Sequence, residues 1–260
     1  MGSASVQGPL WGAKARLWAE LAEPGQTPFY EAVFDAIKVT ERTDLLDAGC
    51  GAGLALQLAE KRGATVTGLD ASEGLIAIAR ERLPQADLRI GDLEDLPFPS
   101  ERFTAVTSFN GIQYATDPQQ ALRELRRVVT AGAPIAVVTW GDPQRSQMRD
   151  VLAAIGKLLP PPPPGAGGPF ALSQPGALES LVESAGLKPQ TAGEVPTPYI
   201  YPDVETAVRA QSASGPAVRA AQHAGSDALQ TALTDVMTAY RRPDGAVRLD
   251  NIFRYVVATP

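Results

Sequence analysis

Apolar positions recur along this chain with two different periods. Short runs at Leu45-Leu46, Thr65 to Leu69, Leu88 to Gly91, Phe103 to Phe109 and Ile135 to Thr139 read as strands. Between them, apolar residues return every three or four positions, at Leu54 and Leu58, at Leu75, Ile78 and Ala79, and at Ala121, Leu122, Leu125, Val128 and Val129. That spacing is one sheet-facing stripe per helix. Strand and helix alternate, which predicts an α/β fold with a doubly wound, mostly parallel sheet.

The segments flanking this core read differently. Trp11, Ala15, Trp18 and Leu21 share a helical face that Pro24-Gly25 closes, and Tyr30, Val33, Phe34 and Ile37 define a second helix. Beyond Trp140, an amphipathic helix from Met148 to Leu159 leads to five prolines, Pro160 to Pro164, and a glycine-rich stretch. Proline runs are stiff and extended, so this reads as a strap across the sheet edge. Ser173 is expected to cap a helix carrying Leu178, Leu181 and Val182. Leu187 to Tyr201, broken by Pro189, Pro196 and Pro198, has edge-strand character. Helical patterns at Val204 to Ala210 and at Leu229 to Tyr240 precede a last strand, Ile252 to Val257. These additions are expected to form a substrate lid.

Chemistry concentrates where strands end. The first strand runs into Asp47-Ala48-Gly49-Cys50-Gly51-Ala52-Gly53, and the helix from Leu54 to Arg62 follows. Glycines at a strand-to-helix turn let backbone approach a ligand where a Cβ would block it. The dinucleotide fingerprint needs a small third residue at position 54, and Leu54 stands there. A nicotinamide dinucleotide reading is weakened by that side chain. Asp70 ends the second strand, where a carboxylate accepts two ribose hydrogen bonds.

Asp47-x-Gly49-x-Gly51-x-Gly53 resembles the nucleotide-binding motif of class I S-adenosylmethionine-dependent methyltransferases, of the ubiquinone and menaquinone type. The resemblance covers roughly residues 44–139. It implies a Rossmann-like, seven-stranded sheet whose last strand inserts antiparallel, with helical lid insertions. It also implies a division of one domain into an N-terminal helical cap (1–40), a cofactor-binding core (41–140), an edge strand with substrate lid (141–250) and a final strand (251–260). The loop backbone would wrap the methionine end of the cofactor, with Asp47, Gly49, Cys50, Gly51 and Gly53 around it, and Asp70 and Ala71 at the ribose. The Gly-Asp-Leu-x-x-Leu-Pro-Phe run would give adenine recognition to Asp92 and Leu93. Asn110 ends the fourth strand beside the cofactor, and Trp18, with Arg16, would close over its carboxylate. Asn110 is followed by Gly111-Ile112 where nucleic-acid amino-methylating relatives carry two prolines and an aromatic ring, so that class is disfavoured.

The implied activity is methyl transfer from S-adenosylmethionine, with S-adenosylhomocysteine as product, to a small and largely apolar acceptor through oxygen or carbon. Tyr30, Gln113, Tyr114 and Trp140 are the candidate acceptor pocket, and no metal is expected. His223, the only histidine, is the candidate general base; an unperturbed phenol titrates near 10, which makes Tyr30 and Tyr114 weaker bases. Two other readings stay open: a protein that keeps the cofactor fold without transferring methyl groups, and an NAD-dependent oxidoreductase.

Composition narrows the partners. With 260 residues the expectation is one core plus a lid. A net charge of −6 and a pI near 4.9 argue against a nucleic-acid surface. The single cysteine, Cys50, excludes an internal disulfide and suits a reducing cytoplasm. Neither a long apolar span nor a secretory leader is read in the chain, so no membrane partner is expected.

Overall fold

A computed structural model describes residues 2–161 and 168–260, and its most completely buried backbone is that of two neighbouring strands, Ala105–Phe109 and Ile135–Trp140. In chain order the strands are β1 (Asp44–Ala48), β2 (Thr65–Asp70), β3 (Asp87–Ile90), β4 (Ala105–Phe109), β5 (Ile135–Trp140), β6 (Lys188–Pro196), β7 (Tyr199–Tyr201), β8 (Val247–Leu249) and β9 (Ile252–Thr259). Seven of them form one sheet in the order β3-β2-β1-β4-β5-β9-β6. The first five pair in parallel, while β9 lies antiparallel between β5 and β6. This is the Rossmann-like sheet expected from the alternating pattern.

Alternation along β1 divides the core. Leu45 packs on one face with Leu56, Ile76 and Phe34, and Leu46 on the other with Phe103, Leu122 and Leu125. Register then fixes where the strands end. Ala48 pairs with Leu69 and Asp70 with Ile90, so Ala48, Asp70 and the end of β3 emerge along a single edge. Ligands of open α/β sheets collect outside that edge.

The flanking helices assemble over it. Met148–Gly156, Val204–Gln211, Gly215–Ala224 and Ser226–Ala239 pack together, and Gly215–Ala224 also meets the N-terminal helix Ala4–Gly12. Tyr240 hydrogen-bonds Asp150 across this layer. No helix among the described residues is long and apolar enough to cross a membrane.

Several expected elements change form. The single helix expected from Leu10 to Leu21 breaks after Gly12, because the chain passes tightly over Gly74, where an added Cβ would lie 2.9 Å from the Gly12 carbonyl oxygen. It continues as Ala15–Leu17, a wider π turn at Trp18–Ala22 and a 3-10 turn at Glu23–Gln26, before Thr27–Ala36. Ser173 does not cap a helix. It ends a 3-10 turn, and the helix Ala177–Ser184 starts behind Gly176, whose φ of 76° favours glycine. The edge segment divides at Pro196 and Pro198, and Tyr199–Tyr201 leaves the sheet to pair antiparallel with β8. The helix from Met148 stops at Gly156, and residues 162–167 of the proline–glycine strap lie outside the described residues.

Phe253 joins these layers, fully buried with its ring centroid 4.4 Å from Phe29 and 4.3 Å from Trp140. Phe253→Ala is expected to lower stability by about 3–5 kcal/mol. Urea unfolding should show a lower midpoint at unchanged slope; a midpoint equal to wild type would mean that these layers do not depend on this ring.

Candidate functional site

The turn after β1 is built from three left-handed glycines. Gly49, Gly51 and Gly53 have φ of 86°, 56° and 84°, values that strain any residue with a Cβ. Gly49 and Cys50 donate to the Leu69 carbonyl at 2.7 and 3.0 Å. Gly51 N–H donates to Asp70 Oδ2 at 2.9 Å, and Ser72 N–H to Asp70 Oδ1 at 2.8 Å. Asp70 thus ties the glycine turn to the start of the next helix, which Ser72 caps by accepting from Leu75 N–H. Asp47 is buried and accepts from the Thr107 hydroxyl at 2.8 Å.

A cavity opens above this turn. Its wall includes Trp18, Tyr30, Asp47, Gly49, Cys50, Gly51, Asp70, Ala71, Asp92, Leu93, Asn110 and Tyr114, residues from six separate stretches that the sequence pattern singles out. Gly53 is not on the wall. It precedes the helix Leu54–Lys61, and an added Cβ would sit 3.0 Å from that of Ala79, so its small size permits helix packing behind the turn.

A second, smaller cavity lies between the sheet edge and the lid. Trp140, Met148, Leu152, Tyr199, Gln211 and Ser214 line it, together with Trp11, Trp18, Gln26, Asn110 and Tyr114, which belong to both cavities. Gln113 lines neither and instead donates its amide nitrogen to Asn110 Oδ1 at 2.8 Å. His223 also lines neither. It is exposed on Gly215–Ala224, and its Nδ1 meets the Leu158 carbonyl at 3.0 Å, so the ring is occupied at the rim of the lid, away from both chambers. Arg16 points outward into an exposed pair with Glu81.

Three contributors gave no signal in the sequence. Glu23 and Gln26 sit on the 3-10 turn that closes the N-terminal cap, and both face the main cavity. Glu23 pairs with Arg82, which also donates to the carbonyls of Ala52 and Ala19 at 2.9 Å each. The start of the chain forms a further part of the wall: Ala4 N–H donates to Asp92 Oδ2 at 3.1 Å and Ser3 N–H to Glu94 Oε1 at 3.3 Å. A helix of such ordinary composition carries no periodic mark of this contact.

The electrostatics of the main cavity are negative. Burial pushes the Asp47 carboxyl up to about 7, against the Thr107 hydrogen bond, and the nearby Asp70 and Glu23 charges push it the same way. Burial also raises Glu23, opposed by Arg82, and raises Asp70, opposed by the N–H groups of Ser72 and Gly51. Cys50 is driven well above its ordinary range, first by burial and then by the same carboxylates, so its thiol stays neutral. The smaller cavity has phenols and amides but no carboxylate or amine on its wall.

Known proteins place this arrangement. Residues 46–137 match the model of a methyltransferase domain. A demethylmenaquinone methyltransferase of Listeria welshimeri is 33% identical over 133 residues, covering 48% of this chain and 56% of the relative. The chain therefore spans little more than half the length of the curated relatives it matches. Among solved structures, the YcgJ protein of Bacillus subtilis aligns over 88% of this chain and 97% of its own at 16% identity, with a TM-score of 0.61. A geranyl diphosphate C-methyltransferase of Streptomyces coelicolor, solved with S-adenosylhomocysteine, aligns over 95% and 83% at 16% identity with a TM-score of 0.55. The glycine turn and the sheet order agree with the domain match, so residues 46–137 are those of a methyltransferase domain on a Rossmann-like sheet.

Proposed function

We propose that this protein transfers a methyl group from S-adenosylmethionine to a small, largely apolar acceptor, through oxygen or carbon. The observation that carries this reading is the shared wall between the two cavities, formed by Trp11, Trp18, Gln26, Asn110 and Tyr114. One chamber carries carboxylates on its wall, the other has aromatic, aliphatic and neutral polar side chains and no carboxylate, and the two abut. In-line displacement needs such a junction, with donor and acceptor held about 3–3.5 Å apart and water excluded.

The main cavity fits the cofactor chemically. S-adenosylmethionine brings a sulfonium and an ammonium group, and the cavity wall offers the carboxylates of Glu23, Asp47, Asp70 and Asp92, of which Glu23 is paired with Arg82 behind the wall. Ribose hydroxyls would donate to the remaining lone pairs of Asp70, and Asp92 with Leu93 N–H would read adenine. When bound, the sulfonium supplies the activated methyl group. The protein contributes binding, alignment and a dry environment. The quinone acceptor implied by the name of the Listeria relative is in keeping with an acceptor chamber walled by Trp140, Tyr199, Met148 and Leu152.

Calorimetry is expected to give binding of S-adenosylmethionine and S-adenosylhomocysteine and none of NAD; NAD binding with no response to either sulfur compound would overturn the reading. Asp70→Ala should weaken cofactor binding by roughly 1.5–3 kcal/mol, the range for hydrogen bonds to a charged group. Retained binding with no labelled product across a panel of phenols, quinols and enols would instead favour a non-methylating protein.

Asp47 makes cofactor binding depend on pH. Its carboxyl is raised to about 7 in the empty site, so in the free protein this group's contribution to stability is full below about 4 and is lost as pH rises through 7. A cationic ligand favours the ionised form. Affinity for S-adenosylmethionine should therefore rise between pH 6 and 8 with net proton release, measured by calorimetry in buffers of different ionisation enthalpy. Asp47→Asn should flatten that dependence, and a flat wild-type profile would remove Asp47 from this role.

His223→Ala is expected to keep activity within about twofold of wild type, because the ring lies outside both chambers. A loss of a hundredfold or more, of the size seen for general bases, would reinstate it.

A further inference from the structure

Two carboxamides on the shared wall each have their oxygen engaged by a neighbouring donor. The Tyr30 hydroxyl donates to Gln26 Oε1 at 2.7 Å, which leaves the Gln26 amide nitrogen as its free end. Gln113 Nε2 donates to Asn110 Oδ1 at 2.8 Å, which leaves the Asn110 amide nitrogen free in the same way. Among the described residues neither nitrogen donates to a protein atom, and both residues line both chambers. The arrangement is held at a cost. Asn110 sits at φ 59°, a strained value tolerated best by Asn, Asp and Gly, and Gln113 Oε1 is buried without a partner. Strain and orphaned polar atoms gather where function requires a fixed orientation.

The acceptor chamber holds nothing that takes a proton near neutrality. Its wall has Tyr114, Tyr199, Gln26, Asn110, Gln211 and Ser214 as polar residues, and residues 162–167, outside the described chain, are Pro, Gly and Ala with no ionisable side chain. Burial pushes Tyr114 up to about 12 and Tyr199 well above the ordinary phenol range. The carboxylates of Glu23, Asp47, Asp70 and Asp92 are on the cofactor side, Glu23 against Arg82. Two N–H donors at the junction, a neutral aromatic chamber and a cation arriving from the other side together describe a site for an anionic oxygen.

We infer that Gln26 and Asn110 are positioning residues whose amide nitrogens hold an ionised acceptor oxygen, and that the acceptor is a planar, acidic phenol or enol that loses its proton to water before transfer. This rests on the methyltransferase reading and adds the acceptor's class and charge state. The donors stand at the junction of the chambers, so the held oxygen is the attacking atom. Its electron pair forms the new O–CH3 bond while the S–CH3 pair returns to sulfur. Anion and sulfonium are consumed together, leaving a neutral ether and a neutral thioether, and no proton moves to the protein. Opposite charges meeting in a dry chamber attract far more strongly than in water, which stabilises the anion there.

The test uses the full chain loaded with S-adenosylmethionine and three acceptors of decreasing acidity, 4-nitrophenol, 4-cyanophenol and phenol. Absorbance should report bound 4-nitrophenol as the phenolate, with its apparent pKa lowered by a unit or more. The acidic limb of kcat/KM against pH should move with the acceptor's own ionisation along the series. Asp47 and the other cofactor-side groups add a limb common to all three, so the shift between acceptors is diagnostic. Gln26→Leu, which removes the donor, and Gln26→Glu, which adds a charge, should each weaken 4-nitrophenolate binding at least tenfold. Asn110→Asp keeps the backbone preference and should raise the bound phenol's apparent pKa. Melting curves and binding of S-adenosylhomocysteine identify any variant that fails to fold, and the pH series on wild type stands without variants. A limb fixed across the series, binding as the neutral phenol, no binding of 4-nitrophenol, or folded Gln26 variants with unchanged affinity would each overturn the inference. Methyl transfer with a fixed limb would leave the methyltransferase reading intact, whereas absent cofactor binding would defeat that reading itself.

Discussion

One partly buried guanidinium holds the site together. Arg82, in the last turn of the helix Glu73–Arg82, reaches the glycine turn through Ala52, the π turn of the cap through Ala19 and the following 3-10 turn through Glu23. A planar fork of five donors is suited to tying three segments at once. Glu23 is only 2% exposed, so without Arg82 its charge would be buried and uncompensated, a loss of about 3–5 kcal/mol when such a pair is broken. The cap therefore stays in place over the cofactor chamber for electrostatic reasons as much as for packing, and Trp11, Trp18 and Gln26 are carried to the shared wall with it.

The core was legible because its rules are local. Strand runs, helical stripes, the Asp47 to Gly53 turn and the acids Asp70 and Asp92 all follow from residues close in sequence, and parallel register then brings them to one edge. The cap was not legible for the opposite reason. Arg82 reads as an ordinary basic residue at a helix end, and its partners lie 59, 63 and 30 positions away. Glu23 and Gln26 sit on a turn too short to have a period. The break after Gly12 answers to Gly74, far along the chain.

His223 illustrates a second limit. A lone histidine in a lid invites a catalytic role, but the helical face it occupies is settled by packing. Ala217, Val218 and Ala220 take the buried face of Gly215–Ala224 and leave His223 at the exposed end of that helix, beside Leu158. Residue type signalled chemistry here, and tertiary packing decided where the side chain went. Gln113 is the converse case: outside both chambers, it still fixes the orientation of a group that lines them.

The two chambers divide the electrostatic work. Carboxylates crowd the side that takes a cation, and their mutual repulsion and burial make that side uncomfortable when empty, as the raised Asp47 and Glu23 carboxyls record. The acceptor side is neutral, with the oxygens of Gln26 and Asn110 engaged by Tyr30 and Gln113 and their amide nitrogens left as the free donors. Were carboxylates on the acceptor side instead, they would repel an anionic acceptor and compete with it for the sulfonium. A neutral chamber with donors avoids both, so the charges on either side of the shared wall favour assembly of the proposed anion–sulfonium pair before transfer. The engagement of two amide oxygens, by one phenol and one neighbouring glutamine, is what leaves that wall its donors.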